Sequence, residues 1–294
     1  MDNLIEFIKE FATLDGGAVE SRLQGVRFFK DTQTVSRRPL LYNPGICIIA
    51  SGHKIAYLGD QAFRYDPDNY LVTSVAMPFE CESHPSPENP LLGMFIDIDT
   101  TQLNELISQL GLQTEVAKLD ETIVPLGIGP SLMDAEMKDA AIRLLKALRS
   151  ETETTILGPG LVREIYYRAL CGNQAPMLFA LAKGSSSLSR VAYVIGMMHG
   201  DYSRKLDVEQ LASAAHMSVS AFHKAFKEIT SDSPIQYLKK IRLNHAKMLI
   251  VQKKMKANTA ADEVGYESPS QFSREFKRYF GQSPAEVKKE IRTA

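Results

Sequence analysis

The chain has 294 residues, of which 44% are apolar, enough for a real core and, at about 100–200 residues per domain, for two domains. Its 34 Lys+Arg and 35 Asp+Glu leave a formal charge of −1, which excludes a uniformly basic nucleic-acid coat. No apolar run reaches the roughly 18 residues of a membrane helix, and three cysteines (Cys47, Cys81, Cys171) make no disulfide framework. The odd cysteine count and the acidic, amphipathic start, unlike a signal peptide, lead to the expectation of a cytoplasmic protein.

In chain order, Leu4, Ile5, Ile8 and Phe11 share one face of a predicted helix over 3–14. From residue 40 to 98 the pattern changes to short β-type runs at 46–50, 54–58, 62–65, 70–75, 79–82 and 91–98. Ser51-Gly52, Gly59-Asp60, Asp66-Pro67-Asp68-Asn69 and the stretch 83–90 separate them. Strands at this spacing predict an antiparallel barrel or sandwich. Helical patterns follow at 102–110, 132–148 and 161–171. In the second, Met133, Met137, Leu144, Leu145 and Leu148 recur at helical spacing, which suits either packing on the barrel or a dimer interface.

Lys183-Gly184-Ser185-Ser186-Ser187 reads as a short flexible linker. It separates halves of opposite charge: residues 186–294 carry 18 Lys+Arg and 11 Asp+Glu, and the first 185 carry 16 and 24. The predicted organisation is therefore α+β in two domains, 1–183 and 189–294, joined by a linker at 184–188.

The second half contains an internal repeat. A shift of fifty places Ser218, Ser220, Phe222, Phe226, Lys227, Ser233 and Pro234 on Ser268, Ser270, Phe272, Phe276, Lys277, Ser283 and Pro284, and Lys224 on Arg274. Each unit, 207–229 and 258–280, reads as two short helices about a tight turn, the helix-turn-helix layout. Asp207 with Gln210 forms a capping box, Ser218 caps the second helix, Asn258 or Thr259 opens the second unit, and Ser268-Pro269 is an N-cap followed by an N1 proline. Between the units, Ser233-Pro234 starts a helix to about 251. Its roughly 18 residues span about 27 Å, close to the roughly 34 Å between successive major grooves on one DNA face.

The i,i+4 pairs Phe222/Phe226 and Phe272/Phe276 are predicted to point into each unit's core. The opposite faces, with the caps, offer Ser218, Ser220, His223, Lys224 and Lys227, then Ser268, Ser270, Gln271, Ser273, Arg274 and Lys277. These hydroxyl, amide and cationic groups suit phosphates and base edges, so double-stranded DNA is the predicted partner.

The stretch 189–292 resembles the AraC/XylS class of bacterial transcription regulators. The residues that carry the likeness are Ser233-Pro234-Ile235-Gln236-Tyr237, Arg242-Leu243-Asn244-His245-Ala246, Val264-Gly265-Tyr266 and the run from Ser270-Gln271-Phe272 through Gly281-Gln282-Ser283-Pro284. Upstream, Leu41-Tyr42-Asn43-Pro44, Gly52-His53-Lys54, Tyr65-Asp66-Pro67, Tyr70-Leu71-Val72 and Arg163-Glu164-Ile165-Tyr166-Tyr167 resemble the N-terminal domain of one AraC subgroup. The resemblance implies a cupin-like barrel for effector binding and dimerisation, joined to two helix-turn-helix motifs that bind promoter DNA. It also implies a homodimer and, in an activator, contact with RNA polymerase. Two positions depart from the pattern. His216 stands where the family often has Gly, and must tolerate the backbone that the turn demands. Ala260 replaces a larger aliphatic residue and is expected to loosen its unit.

Cupin barrels often hold a metal through clustered histidines, but this half offers only His53 and His84, thirty residues apart, so no metal or other cofactor is expected. No nucleophile–base arrangement or glycine-rich phosphate loop stands out, which leaves a barrel enzyme or ligand carrier as the weaker reading. A small-molecule pocket is the expectation, lined from among Tyr42, Phe63, Tyr65, Tyr70, Phe79 and Met94 according to strand alternation. Cys47 and Cys81 are candidate sensor thiols, the alternative to a pocket.

Overall fold

The computed structural model describes residues 2–86, 88–111 and 124–287. Helix α1 (Asp2–Phe11) leads into β1 (Gly17–Glu20), β2 (Val26–Asp31), β3 (Val35–Tyr42), β4 (Gly45–Ser51) and β5 (His53–Leu58). There follow β6 (Gln61–Tyr65), β7 (Asn69–Thr73), β8 (Met77–His84), β9 (Leu91–Asp97), α2 (Thr100–Gln109) and β10 (Ile128–Leu132). The strands form two antiparallel sheets, one of six strands in the order β1-β2-β9-β4-β7-β10 and one of four, β3-β8-β5-β6. Every residue of β4 is buried because both faces of the six-stranded sheet are covered there. The expected antiparallel sandwich is therefore present, with more strands than the periodicity predicted.

Strands β1, β2, most of β3 and β10 escaped the sequence pattern for physical reasons. In β2, Val26 and Phe28 point inward while Arg27 and Lys30 dilute the apolar signal. In β10, Gly129 and Pro130 look like a break, but β10 is an edge strand, where a missing N–H is tolerated. The predicted helix 132–148 begins instead at Ala135, as α3 (Ala135–Ala147), because the Asp134 carboxylate accepts the Met137 N–H as an N-cap. Its apolar residues Met137, Ala140, Leu144 and Leu145 pack within the chain, against α1 and α4 (Glu151–Leu170). Helix α4 starts ten residues before the predicted 161. Ser150 caps it, and it runs through Pro159, whose flanking glycines imitate a turn. The predicted helix at 3–14 ends at Phe11, and Leu14 is exposed.

A short helix, α5 (Ala175–Ala182), precedes the predicted linker. The linker is a closed turn: the Ser186 N–H donates to the Lys183 carbonyl at 2.8 Å, and the Ser186 hydroxyl donates to the Ala180 carbonyl. Ser187 and Leu188, expected as its last residues, begin α6 (Ser187–Gly200). Then come α7 (Val208–Ala214), α8 (Val219–Thr230), α9 (Pro234–Val251), α10 (Ala257–Glu263) and α11 (Pro269–Phe280). The helical half so repeats one unit, α7–α8 and α10–α11, about the 18-residue helix α9. Helix α10 starts earlier than predicted, from Lys256 and without a side-chain cap, so neither Asn258 nor Thr259 opens it.

Among the described residues the buried apolar side chains form two cores. The larger includes the sandwich and continues through α6 into Leu211, Phe222 and Phe226 of the first unit and Tyr237 and Ile241 of α9. The smaller packs Leu243 of α9 against Ala260, Val264, Phe272 and Phe276 of the second unit. The seam between the sandwich and the first unit is hydrogen-bonded: the Gly127 N–H donates to the Ile229 carbonyl at 3.1 Å, and the Tyr237 hydroxyl donates to the Ala76 carbonyl.

Candidate nucleic-acid interface and sensor cavity

The repeat is structural down to its hydrogen bonds. After α7, the His216 N–H donates to the Ser213 carbonyl and the Met217 N–H to the Ala212 carbonyl; after α10, Gly265 and Tyr266 donate to Asp262 and Ala261 in the same way. Both are Schellman turns, which satisfy the last carbonyls of a helix and need a left-handed residue between the donors. Ser218 and Ser268 then cap α8 and α11, their hydroxyls accepting the N–H groups of Ala221 and Gln271 at 3.3 Å. Phe222, Phe226, Phe272 and Phe276 are fully buried, in the cores where their spacing put them.

The opposite faces of α8 and α11 are open. Ser220, Lys224 and Lys227 are exposed on α8, with His223 half-buried; Ser270, Gln271, Ser273, Arg274 and Lys277 are exposed on α11. Lys224 reaches Glu228 at 4.0 Å, and the Gln271 amide donates to Glu275 at 3.2 Å. The hydroxyls of Ser218 and Ser268 serve the helix termini, whereas Ser220, Ser270 and Ser273 lie exposed within the helices. Glu275 was not anticipated: besides Gln271 it takes Lys239 Nζ at 3.0 Å and the Tyr266 hydroxyl at 2.8 Å, tying α11 to α9. Burial opposes its charge, but Lys239 and these hydrogen bonds hold its carboxyl below the ordinary range.

In the sandwich, strand alternation puts Lys54, Ala56 and Leu58 of β5 inward. Lys54 is only 6% exposed. Its ammonium donates to the Tyr42 hydroxyl at 2.8 Å and lies 4.9 Å from the centroid of the Phe29 ring. Burial opposes its charge, but the surrounding Tyr42, Cys81 and Cys47 side chains outweigh that and move its pKa up. Among the described residues no carboxylate forms an ion pair with it. Burial in turn pushes the Tyr42 phenol up to about 12, so it is a neutral hydroxyl near pH 7.

Lys54 and Tyr42 border a cavity of about 250 Å³ that also meets Arg27, Phe29, Arg38 and Phe95. Glycines make room for its rings. A Cβ on Gly93 would lie 2.3 Å from Phe29, and one on Gly45 would lie 2.1 Å from Phe95. Arg27 pairs with Asp97 at 2.9 Å and covers the Phe95 ring, whereas Arg38 is exposed just after a register shift in β3.

Of the six predicted pocket residues, Tyr42 alone borders this cavity. Tyr65 and Phe79 stand behind Tyr42, Tyr65 through a 3.3 Å hydroxyl contact and Phe79 by an edge-on ring contact. Tyr70 lies on the other sheet near Ser131 and Gly172, Met94 is buried in β9, and Phe63 is half-buried on β6. Lys54, Arg27 and Phe29 were missed, although the inward register of Lys54 was readable from the alternation of β5. Cys47 and Cys81 are buried. Burial pushes the Cys47 thiol up to about 12, and Cys81 lies 3.4 Å from the Tyr65 hydroxyl. His53 and His84 meet across β5 and β8 with stacked rings 4.7 Å apart, and among the described residues no group of three or more potential ligands is placed to hold a metal. Nor is any described helix long and apolar enough to cross a membrane.

Residues 22–177 match the family described as AraC-type transcriptional regulator N-terminus, and residues 211–290 match a helix-turn-helix domain family. The chain is 29% identical over 116 residues to the Msm operon regulatory protein of Streptococcus mutans, covering 40% of this chain and 42% of that protein, so the match spans less than half the relative's length. It is 22% identical over 237 residues to the lactose operon transcription activator of Staphylococcus xylosus, covering 78% and 80%. Among solved structures it is similar to ToxT of Vibrio cholerae bound to an unsaturated fatty acid, with a TM-score of 0.58 and 13% identity over 89% of this chain and 92% of that one, a likeness of fold.

Proposed function

Because this chain belongs to the AraC family of DNA-binding transcriptional regulators, we propose that it reads specific promoter sequences with α8 and α11 under the control of a small organic effector held in the sandwich. The observation that carries this reading is the duplicated open face: two capped helices, each buried on its phenylalanine side, present hydroxyl, amide and cationic groups from either end of α9. In this reading Arg274 suits guanine, whose O6 and N7 a guanidinium can engage bidentately, while Lys227 and Lys277 contact phosphates. The effector is bound and released unchanged, with no cofactor. The domain division at about 184–188 follows the charge split.

The protein acts as a homodimer in the cytoplasm, and contacts RNA polymerase if it activates. Since the apolar face of α3 is used within the chain, the exposed Ile156 and Leu157 of α4 are the better candidates for self-association. A sensor that binds an organic molecule agrees with the fatty acid named for ToxT. The thiol alternative would require Cys47 or Cys81 to leave the core before reacting, since the thiolate is the reactive form. Gel-shift titration of the full chain on its own upstream DNA tests the proposal. Affinity should fall steeply with salt, because each phosphate contact releases a counterion, and a specific fragment should outcompete bulk DNA. Equal affinity for all sequences would count against it. Double replacement of Cys47 and Cys81 by Ser separates the two sensing mechanisms: a pocket sensor keeps its response, and a thiol sensor loses it.

A further inference from the structure

Lys54 presents an unsolved problem of charge. An ammonium taken out of water is costly unless it is paired, and buried cations in folded proteins usually meet a carboxylate or a set of strong acceptors. Among the described residues Lys54, at 6% exposure, has one hydroxyl partner and the faces of two rings, Phe29 and Tyr42. Ring faces attract a cation but do not neutralise it. The same side chain borders a cavity, and the other charges there do not supply the missing anion. Arg27 is already paired with Asp97, Arg38 adds a second positive charge at the mouth, and Asp31, the one carboxylate among the described residues of the cavity wall, forms no ion pair with Lys54. The rest of the wall is mostly apolar, including Phe29, Leu40 and Phe95, with Asn43 a neutral amide that supplies no charge.

The geometry points to an organic monoanion as the effector, a carboxylate with a compact apolar body, its acid group on Lys54 and Tyr42 and its body between Phe29 and Phe95. This deepens the proposed small-molecule reading and rests on it. The cavity limits the size of the body. An apolar cavity of about 150 Å³ admits benzene, so about 250 Å³ suits one aromatic ring with a short acid arm or a chain of about six to eight carbons. The Tyr42 phenol, neutral near pH 7, can donate its proton to the carboxylate while its oxygen still accepts from Lys54. Such a ligand would pair the buried ammonium and use both charge-assisted bonds.

Matched probes test this on the full-length protein by isothermal titration calorimetry: phenylacetate and hexanoate against phenylacetamide and hexanamide. At least one acid should bind about tenfold to a hundredfold more tightly than its amide, the range expected for hydrogen bonds to a charged group. Lys54→Met should abolish that preference, and Arg38→Ala, at an exposed position, should weaken acid binding while leaving the fold intact. Which acid binds distinguishes an aromatic from an aliphatic body, and either supports the proposal. Because the amides are compared in the wild-type protein, the test survives misfolding of Lys54→Met. Amides binding as well as acids, neither acid binding at millimolar concentration, or a folded Lys54→Met variant that keeps the preference would each overturn it. A gel shift on the same preparation keeps the two ideas apart: salt-sensitive, specific DNA binding without acid binding rejects the anion alone, and loss of DNA binding rejects the regulator.

Discussion

His216 and Gly265 hold the same place in the two units, each the left-handed residue of a Schellman turn, at φ +51° and φ +83°. A shift of fifty does not pair them, because the second turn contains one more residue before its cap, and the hydrogen bonds and left-handed backbone make their equivalence plain. The turn demands left-handed backbone in both units, but only the second supplies glycine. A side chain with a Cβ pays about 1–2 kcal/mol to adopt that conformation.

Replacing His216 by Gly should therefore stabilise the first unit, by about 1 kcal/mol once the greater freedom of glycine in the unfolded chain is subtracted. Thermal and urea melts of the full chain check this. The bond from Arg190 to the His216 carbonyl involves only backbone at 216 and should survive. A destabilised His216→Gly variant would mean that the imidazole makes contacts worth more than the strain.

The seam should give the protein a pH dependence. His199 Nε2 lies 3.1 Å from the Tyr237 hydroxyl, whose own proton goes to the Ala76 carbonyl, so the imidazole donates in this bond. Burial, with a smaller contribution from His245, lowers the His199 pKa from 6.5 to about 4. Between those values the unfolded chain binds more protons than the folded one, so stability falls as pH drops from about 6.5 towards 4 and is unaffected above. Urea midpoints measured from pH 7.5 to 4.5 should show this decline. His199→Gln, which keeps a donor but cannot titrate, should reduce it; His245 and His53, both also lowered chiefly by burial, contribute to what slope is left.

On DNA, Arg274→Ala should cost about 1–3 kcal/mol at the specific site and relax preference at one base position. Lys227→Ala and Lys277→Ala should weaken binding to all sequences alike and lower the salt slope by about one unit each. Competition gel shifts over a range of salt separate the two patterns. Equal loss of specific and non-specific binding in Arg274→Ala would remove it from base reading.

The shared core leads to unequal behaviour of the two units in isolation. A fragment of residues 186–294 keeps the second unit's own core but loses what covers Ile229 of the first unit and Tyr237 of α9 beside it. Hydrogen exchange on the fragment should find α10–α11 protected and α7–α8 opened, with DNA binding present but weaker than in the full chain. Equal protection in both units would show that the sandwich contributes nothing to the first.

The helical half was the more legible part of the sequence because its information is local. Capping serines, i,i+4 phenylalanines and Ser-Pro starts each specify a few neighbouring residues, and the repeat states them twice. Helix α10 is the exception, since it begins at Lys256 without the side-chain cap that Asn258 or Thr259 suggested. The sandwich was read in part. β5 alternates clearly, whereas β2 and β3 carry arginines whose positions make sense only once Asp97, Glu80 and the cavity are in place. The cavity was the least legible, because Lys54 from β5, Tyr42 from β3 and Phe29 from β2 come together only through sheet pairing. An inward lysine on an otherwise apolar strand face was the one local sign of it.

The central claim, that two equivalent reading helices recognise adjacent grooves of one promoter site, is tested most directly by sequencing the genomic fragments that the full-length protein selects in vitro. The expected result is an enriched motif upstream of genes, made of two elements about one helical turn, roughly 10 base pairs, apart, with Arg274→Ala erasing information from one element only. Fragments retained in proportion to their length, with no motif and no change on Arg274→Ala, would contradict it.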